Sequence, residues 1–352
     1  MNKESYLEAL QGVLRARTSS HEADKIMAYY EQYFDDALDF GRTEAEVIEE
    51  LGDSEKLAEE VLEGLTMMRQ DLFTSQAPLR MIDALLLDIR VHLLVSERDQ
   101  VYVTYQGQER FEEGLLSVEL KGDHLFIRQH SKRVMPARDF YKSDQGKPYL
   151  LIEIPQTYKG RLLVKTRDSR IVVDGKALAS KIKYELYSKD ARIVCDQVCS
   201  PEIEAVSQTG RLDLKNSQVR MLNLSTVEGR IELKENEVKY LQAKSTEGRI
   251  VLCKGHYELA ELENEEARIV IDDALIDDCH MENEEGRCLY MLQDKPYGLH
   301  LDLLSRQSKV IINGEKFSKG ALLIRDVRPH KKEKRFLNIY ARSSTGRIEI
   351  RH

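Results

Sequence analysis

The feature that most constrains this chain is a recurring pair, a small residue followed by a basic one. Ser169-Arg170, Ala191-Arg192, Gly210-Arg211, Gly229-Arg230, Gly248-Arg249, Ala267-Arg268, Gly286-Arg287, Ser308-Lys309 and Gly346-Arg347 repeat it. The interval is 19 residues from Arg192 to Arg287, 22 on either side, and 38, twice 19, at the end. A short fixed period points to a solenoid, in which each repeat stacks only on its neighbours.

With the basic residue as position zero, the copies read as columns. Eight back stand Leu162, Tyr184, Ile203, Leu222, Leu241, Ala260, Cys279, Leu301 and Ile339; six back stand Val164, Leu186, Ala205, Leu224, Ala243, Leu262, Met281, Leu303 and Ala341. Two apolar columns with a mostly polar one between them predict a strand with one buried face. Four back, Thr166, Ser188, Ser207, Thr226, Ser245, Asn264, Asn283, Ser305 and Ser343 share that inward parity. An inward polar group left unpaired costs roughly 1–3 kcal/mol, so this column predicts a hydrogen-bonded ladder along a corner. Residues one and three past the basic position, such as Ile231 and Leu233, predict a second inward strand. The expected fold is α + β in separate domains: a small helical bundle, then a β-solenoid of about nine 19-residue coils. Its parts are a helical module at 1–74, a connector with an irregular β entry cap at 75–150, and the regular coils at 151–352.

Three outward columns are candidate surfaces. The basic column could hold an anionic polymer or lipid headgroups, but Asp168, Asp190, Glu228, Glu247, Glu266 and Glu285 stand two residues earlier. A neighbouring acidic column neutralises it, and the expectation is a solvated ladder. Two past the basic position, Val172, Val194, Val251, Val270, Leu289 and Ile311 form an apolar stripe, broken by Asp213, Glu232 and Glu349. Such a stripe needs cover, from the N-terminal helices, the 313–337 loop or a second copy of the chain.

The N-terminal segment has a different pattern. Tyr6, Leu7, Leu10 and Leu14 mark one amphipathic helix, and Ser19 to Glu22 reads as a capping box opening a second. That helix carries Met27, Tyr30, Tyr33, Phe34 and Ala37 and ends at Gly41; Thr43 to Glu46 opens a third, and Asp53 or Ser54 caps a fourth. Tyr29 is the exposed member of the aromatic cluster. Residues 1–70 hold seven basic and seventeen acidic side chains, a balance of −10 in a chain whose net charge is −8. Asp35, Asp36, Asp39, Glu46, Glu49 and Glu50 surround the Gly41 turn as a candidate patch for a basic partner.

Tyr29-Tyr30, Tyr33, Gly41, Glu44, Val47-Ile48, Leu51-Gly52 and Leu57-Ala58 resemble the helix-turn-helix-associated α-helical signalling (HAAS) domain of Gram-positive bacteria. That family usually has a proline soon after the Leu-Gly, where this chain has Asp53-Ser54-Glu55. The resemblance implies a non-enzymatic signalling module often encoded beside PadR-type transcription regulators. Ile152-Glu153-Ile154-Pro155, Leu163-Val164-Lys165-Thr166 and Ser245–Ile250 place 79–352 close to the adhesin-type β-strand-repeat family. That likeness implies a role in envelope stress, and the pairing with the helical module is typical of Firmicutes.

No catalytic, cofactor or metal residues emerge. There is no P-loop, dinucleotide fingerprint or nucleophile elbow, and Cys195 and Cys199 lack the companions of a metal site. Cys195, Cys279 and Cys288 fall on inward columns, as reduced core thiols in a cytoplasm would. Neither a secretory h-region nor an 18-residue apolar run is present. The expected protein is a cytoplasmic scaffold with a protein partner, a transcription regulator or envelope-stress component. A homodimer through the stripe and a membrane surface reached by the basic run 330–335 are further options, and nucleic acid is not expected. An adhesin-like surface protein is the second reading, and a polysaccharide-active enzyme the third.

Overall fold

The structure, a computed structural model, describes residues 2–17, 20–39, 42–75, 78–106, 114–132, 149–293, 297–318, 321–328 and 336–352. The chain divides into two compact units, one built on residues 1–70 and the other on 71–106 and 111–352. The Ser19–Glu22 box, Gly41 and the basic run 330–335 fall on residues or side chains outside those described.

The first unit has four helices: α1 (Lys3–Arg17), α2 (Ser20–Asp39), α3 (Glu44–Leu51) and α4 (Ser54–Met68). Tyr6, Leu7, Leu10 and Leu14 bury one face of α1 against Met27, Phe34, Val47 and Ala58. Thr43 and Glu46 close the capping box of α3, and Gly52 ends it with φ 74. Asp53 then caps α4 by accepting the Glu55 and Lys56 amides, both at 3.0 Å. A carboxylate thus starts the helix where the HAAS pattern has proline. Tyr29 is 63 % exposed.

Among its described residues the second unit is built of β-strands. Its entry strands are β1 (Arg69–Ser75), β2 (Met81–Leu86), β3 (Arg90–Ser96), β4 (Val101–Gln106), β5 (Leu116–Lys121), β6 (His124–Gln129) and β7 (Tyr149–Pro155). The regular part runs β8 (Arg161–Thr166), β9 (Ile171–Asp174), β10 (Lys183–Ser188), β11 (Ile193–Asp196), β12 (Cys199–Ser207) and β13 (Leu212–Lys215). It continues with β14 (Gln218–Thr226), β15 (Ile231–Ser245), β16 (Ile250–Asn264), β17 (Ile269–Asp272), β18 (Leu275–Asn283) and β19 (Cys288–Met291). The last strands are β20 (Gly298–Ser305), β21 (Val310–Ile312), β22 (Glu315–Phe317), β23 (Leu322–Arg328), β24 (Phe336–Ser343) and β25 (Ile348–Arg351).

Two parallel ladders carry the columns. Leu162, Tyr184, Ile203, Leu222, Leu241, Ala260 and Cys279 pair in succession on one, and Ile171, Ile193, Leu212, Ile231, Ile250, Ile269 and Cys288 on the other. Both rows are buried and line a continuous core. The polar column is buried too, and each member serves a turn. Ser207, Thr226 and Ser245 accept the amides of Gly210, Gly229 and Gly248 at 2.9–3.0 Å. Asn264 and Asn283 instead reach back one rung and donate to the carbonyls of Gly248 and Ala267, at 2.6 and 2.7 Å. Glycine is needed at 248 because a Cβ there would overlap the Gly229 carbonyl oxygen of the rung before it.

A second corner carries no obvious sequence mark. Gln197, Asn216, Glu235, Lys254 and Asp273, each five past an Arg, take φ between 52 and 57 apart from Asn216 at 49. Beside them the fully buried Asn236 accepts the Ser217 amide at 3.0 Å and donates to the Leu214 carbonyl at 3.0 Å.

The ends depart from chain order. β2 lies between β6 and β8, and β3 between β7 and β9, all parallel and with the columns in register. The entry region read from sequence as irregular therefore holds strands of the same ladders, with Ile82 beside Leu162 and Val91 beside Ile171. At the other end, β24 lies between β18 and β20, and β25 between β19 and β21. The outermost parallel strands are closed by reversed ones: β5 on β6, β4 on β7, β23 on β20 and β22 on β21.

Candidate functional site

The acidic patch of the helical unit is only partly free. Glu46 is the third residue of α3, and its carboxylate accepts the Thr43 amide at 2.8 Å and hydroxyl at 2.9 Å. The bond from the Thr43 backbone, then the one from its hydroxyl, holds the Glu46 carboxyl below the usual carboxylate range. Glu50 accepts from Arg42 and from the Tyr33 hydroxyl, so it too is held low, by Arg42 first. Those two carboxylates fasten the start of α3 and join it to α2. Asp35 pairs with Lys3, and Glu49 is exposed. Asp36 and Asp39 belong to α2, with side chains outside the described residues.

Sequence reasoning missed a cleft beside that patch. Glu4 and Glu8 of α1, Glu31 and Asp35 of α2 and Glu44 of α3 line a hollow of about 580 Å³, with Lys3 as its one cation among the described residues. The Lys3 amide donates to Glu44 at 2.9 Å. The five positions lie on three helices, so no spacing in the sequence groups them. Residues four apart on α1 (Glu4, Glu8) and on α2 (Glu31, Asp35) were the available signal, since such pairs share a helix face.

On the β unit, the acids that pair with the Arg column are not those expected. The partners stand two residues after the Arg, not two before it. Asp213 takes Arg192 and, at 2.6 Å, Arg211; Glu232 takes Arg211 at 2.5 Å and Arg230 at 2.9 Å. Glu349 takes Arg287, Arg347 at 3.4 Å and Arg351 at 2.6 Å. Burial alone would raise the Glu349 carboxyl; Arg351, Arg287 and Arg347 together outweigh it and hold the group below the usual range. In these pairs the acid lies on a strand and the column Arg immediately before one, on the same rung or on the rung before, within reach along or across the ladder. The earlier acids lie on the turn, and among the described residues Glu228, Glu247, Glu266 and Glu285 form no ion pair.

The apolar stripe is less open than its sequence suggests. Val194 and Ile311 are buried, and Val172, Val251, Val270 and Leu289 half-buried. In a parallel stack each side chain is flanked at about 4.8 Å on both sides, so a column of branched residues covers much of its own surface. Where the stripe is apolar, Arg249 and Arg268 lack the acid that Asp213, Glu232 and Glu349 supply elsewhere. Both are exposed, and neither forms an ion pair or side-chain hydrogen bond among the described residues. They lie in a shallow groove of about 840 Å³ with Arg230, Arg287 and Arg347 on one bank and Glu228, Glu247, Glu266 and Glu285 on the other.

Among the described residues no group of three or more His, Cys, Asp or Glu could hold a metal ion. Burial pushes the thiols of Cys195 and Cys288 up to about 12, so they remain protonated core groups. No described helix is long and apolar enough to cross a membrane.

Comparison with known proteins gives two family matches. Residues 83–286 match the model described as Toastrack DUF4097, and residues 5–60 match the one described as HAAS. No curated protein matches the chain. Among solved structures, one from Clostridium sporogenes described as a "putative cell adhesion protein" aligns at 9 % identity. That alignment covers 80 % of this chain and 98 % of the other, with a TM-score of 0.23.

Proposed function

The chain belongs to the Toastrack DUF4097 family and carries a HAAS segment ahead of it, and we propose that it is a signalling scaffold whose helical unit recruits a basic protein partner. The two domain types fit a non-enzymatic binding role. The finer reading keeps the division at 74 and 150, treats the β unit as a β-solenoid of 19-residue coils, and places the protein in the cytoplasm. Its partner is a PadR-type transcription regulator or an envelope-stress component.

The observation that carries the reading is the cleft between α1, α2 and α3. Glu4, Glu8, Glu31, Asp35 and Glu44 surround Lys3, and Glu8, Glu31 and Asp35 are exposed. Glu49 of α3 is exposed as well, whereas Glu46 and Glu50 hold the fold. A lysine or arginine of a partner entering the cleft would meet several carboxylates at once. Such association is steered by charge and weakens with salt.

The test is binding of the full chain to a PadR-type transcription regulator, measured at about 50 and 500 mM salt. Glu8→Gln, Glu31→Gln and Glu49→Gln together should weaken binding at least about tenfold at low salt, with helix content unchanged by circular dichroism. Equal affinity for the wild type and the triple variant at both salt concentrations would remove the cleft from the function.

A further inference from the structure

The charged groove of the β unit has a repeat that selects its occupant. One bank is a row of carboxylates, Glu228, Glu247, Glu266 and Glu285; the other is a row of guanidinium groups running from Arg230 through Arg249 and Arg268 to Arg287 and Arg347. Successive members of each row stand on successive rungs, because Ile231, Ile250, Ile269 and Cys288 pair directly across the ladder. Both rows therefore repeat at the strand spacing, about 4.8 Å.

Charge decides against a polyanion. Arg230, Arg287 and Arg347 are already committed to Glu232 and Glu349. That leaves Arg249 and Arg268, which pair with nothing among the described residues, against the four carboxylates of the opposite bank. Period decides against an extended peptide, whose side chains on one face recur every two residues, about 6.6–6.8 Å. Such a chain drifts out of step within two rungs. A ligand that presents both charges and keeps step must itself be a stack of strands with the same spacing.

We propose that this groove is a self-association surface, and that its occupant is a second copy of the same chain. Turning one copy about a two-fold axis that lies in the interface along the ladder lays the Glu row of each over the Arg row of the other. The free Arg249 and Arg268 of one copy then meet Glu247 and Glu266 of the other, and the converse pairs form by symmetry. The half-buried Val251, Val270 and Leu289 border the same rows and lose their remaining exposure at the rim. The stripe is then the edge of the interface, and its charged rows are the centre. The inference is independent of the helical unit and its partner.

The experiment is sedimentation equilibrium of the full chain at low and high salt, with two charge-reversed variants. Glu247→Arg with Glu266→Arg makes the two central rungs of the groove basic on both banks, and Arg249→Glu with Arg268→Glu makes the same two rungs acidic on both banks. The wild type should dimerise at about 50 mM salt and weaken at least about tenfold at 500 mM. Each variant alone should be monomeric with an unchanged circular dichroism spectrum, and an equimolar mixture of the two should dimerise. A wild type that stays monomeric up to about 1 mM protein overturns the proposal, since even a weak self-association populates dimer there. So does a dimer that survives in either variant alone, and so does a mixture that fails to restore it.

Discussion

The middle of the β unit and its two ends are built from the same columns, yet they differ in how chain order relates to space. From β8 to β19 each rung stacks on the one that precedes it in the chain. At the ends the rule breaks: β2 and β3 are tucked one place inward, and so are β24 and β25. Strands of the opposite direction then close each end. The difference teaches that periodicity specifies register but not neighbour. Any strand with apolar side chains at the right parity pairs in register with any rung. An unclosed parallel stack would leave a long row of open amides and carbonyls, a template for unwanted pairing, and reversed strands cover it.

The comparison can be pushed hardest in the middle. Leu224 is 5 % exposed and sits between Ala205 and Ala243. Leu224→Asp buries a charge without a partner and should remove several kcal/mol, enough to unfold or aggregate the unit. Tyr240, on the next rung and 50 % exposed, is the control; Tyr240→Asp should move the melting temperature little. Equal losses in the two variants would mean that the inward and outward faces are reversed.

Removing residues 336–352 tests the ends. If β24 and β25 are internal, their loss opens the stack on both sides. Amides of β20 and β21 should then lose hydrogen-exchange protection while β10 to β17 keep theirs. Were the stack in plain chain order, the deletion would strip only an outer rung, and β20 would stay protected.

The smallest effect concerns Glu349, which the inserted strand β25 brings to Arg287, the residue just before β19. Its folded carboxyl lies below the usual range, so the native state binds fewer protons than the unfolded chain in mild acid. The stabilisation is present above the unfolded value, about 4.3 for a free glutamate, and is lost as pH falls through the folded one. Glu349→Gln should cost about 1–3 kcal/mol near neutral pH, and the gap from the wild type should close as the solution is acidified. A gap independent of pH would show that the three arginines do not hold the charged form.

Much of the fold was legible because a strand's parity is a local property. Leu222 and Leu224 against Asn223, Thr226 before Gly229, and Ile231 and Leu233 after Arg230 mark the inward face, the corner and the second strand without reference to any other rung. Thr43 and Glu46, three residues apart, marked the start of α3 for the same reason. The candidate sites were less legible. The acidic patch was visible as composition, but composition does not say that Glu46 and Glu50 are spent on Thr43 and Arg42, or that Glu8 and Glu31 share a cleft. The Arg column was visible, but its acidic partners were sought on the nearby turn.

The sequence by itself determined the repeat, the buried columns, the hydrogen-bonded corner and the helices ahead of them, because each depends on residues within one turn or one rung. Only the tertiary structure decided which rung lies beside which, since strands of one pattern are interchangeable until the chain has closed. It alone decided the pairing of Arg192 with Asp213, Arg211 with Glu232 and Arg287 with Glu349. Those contacts cross from one rung to the next, and among the described residues they leave Arg249 and Arg268 unpaired where Val270 and Leu289 stand on the following rung in place of an acid.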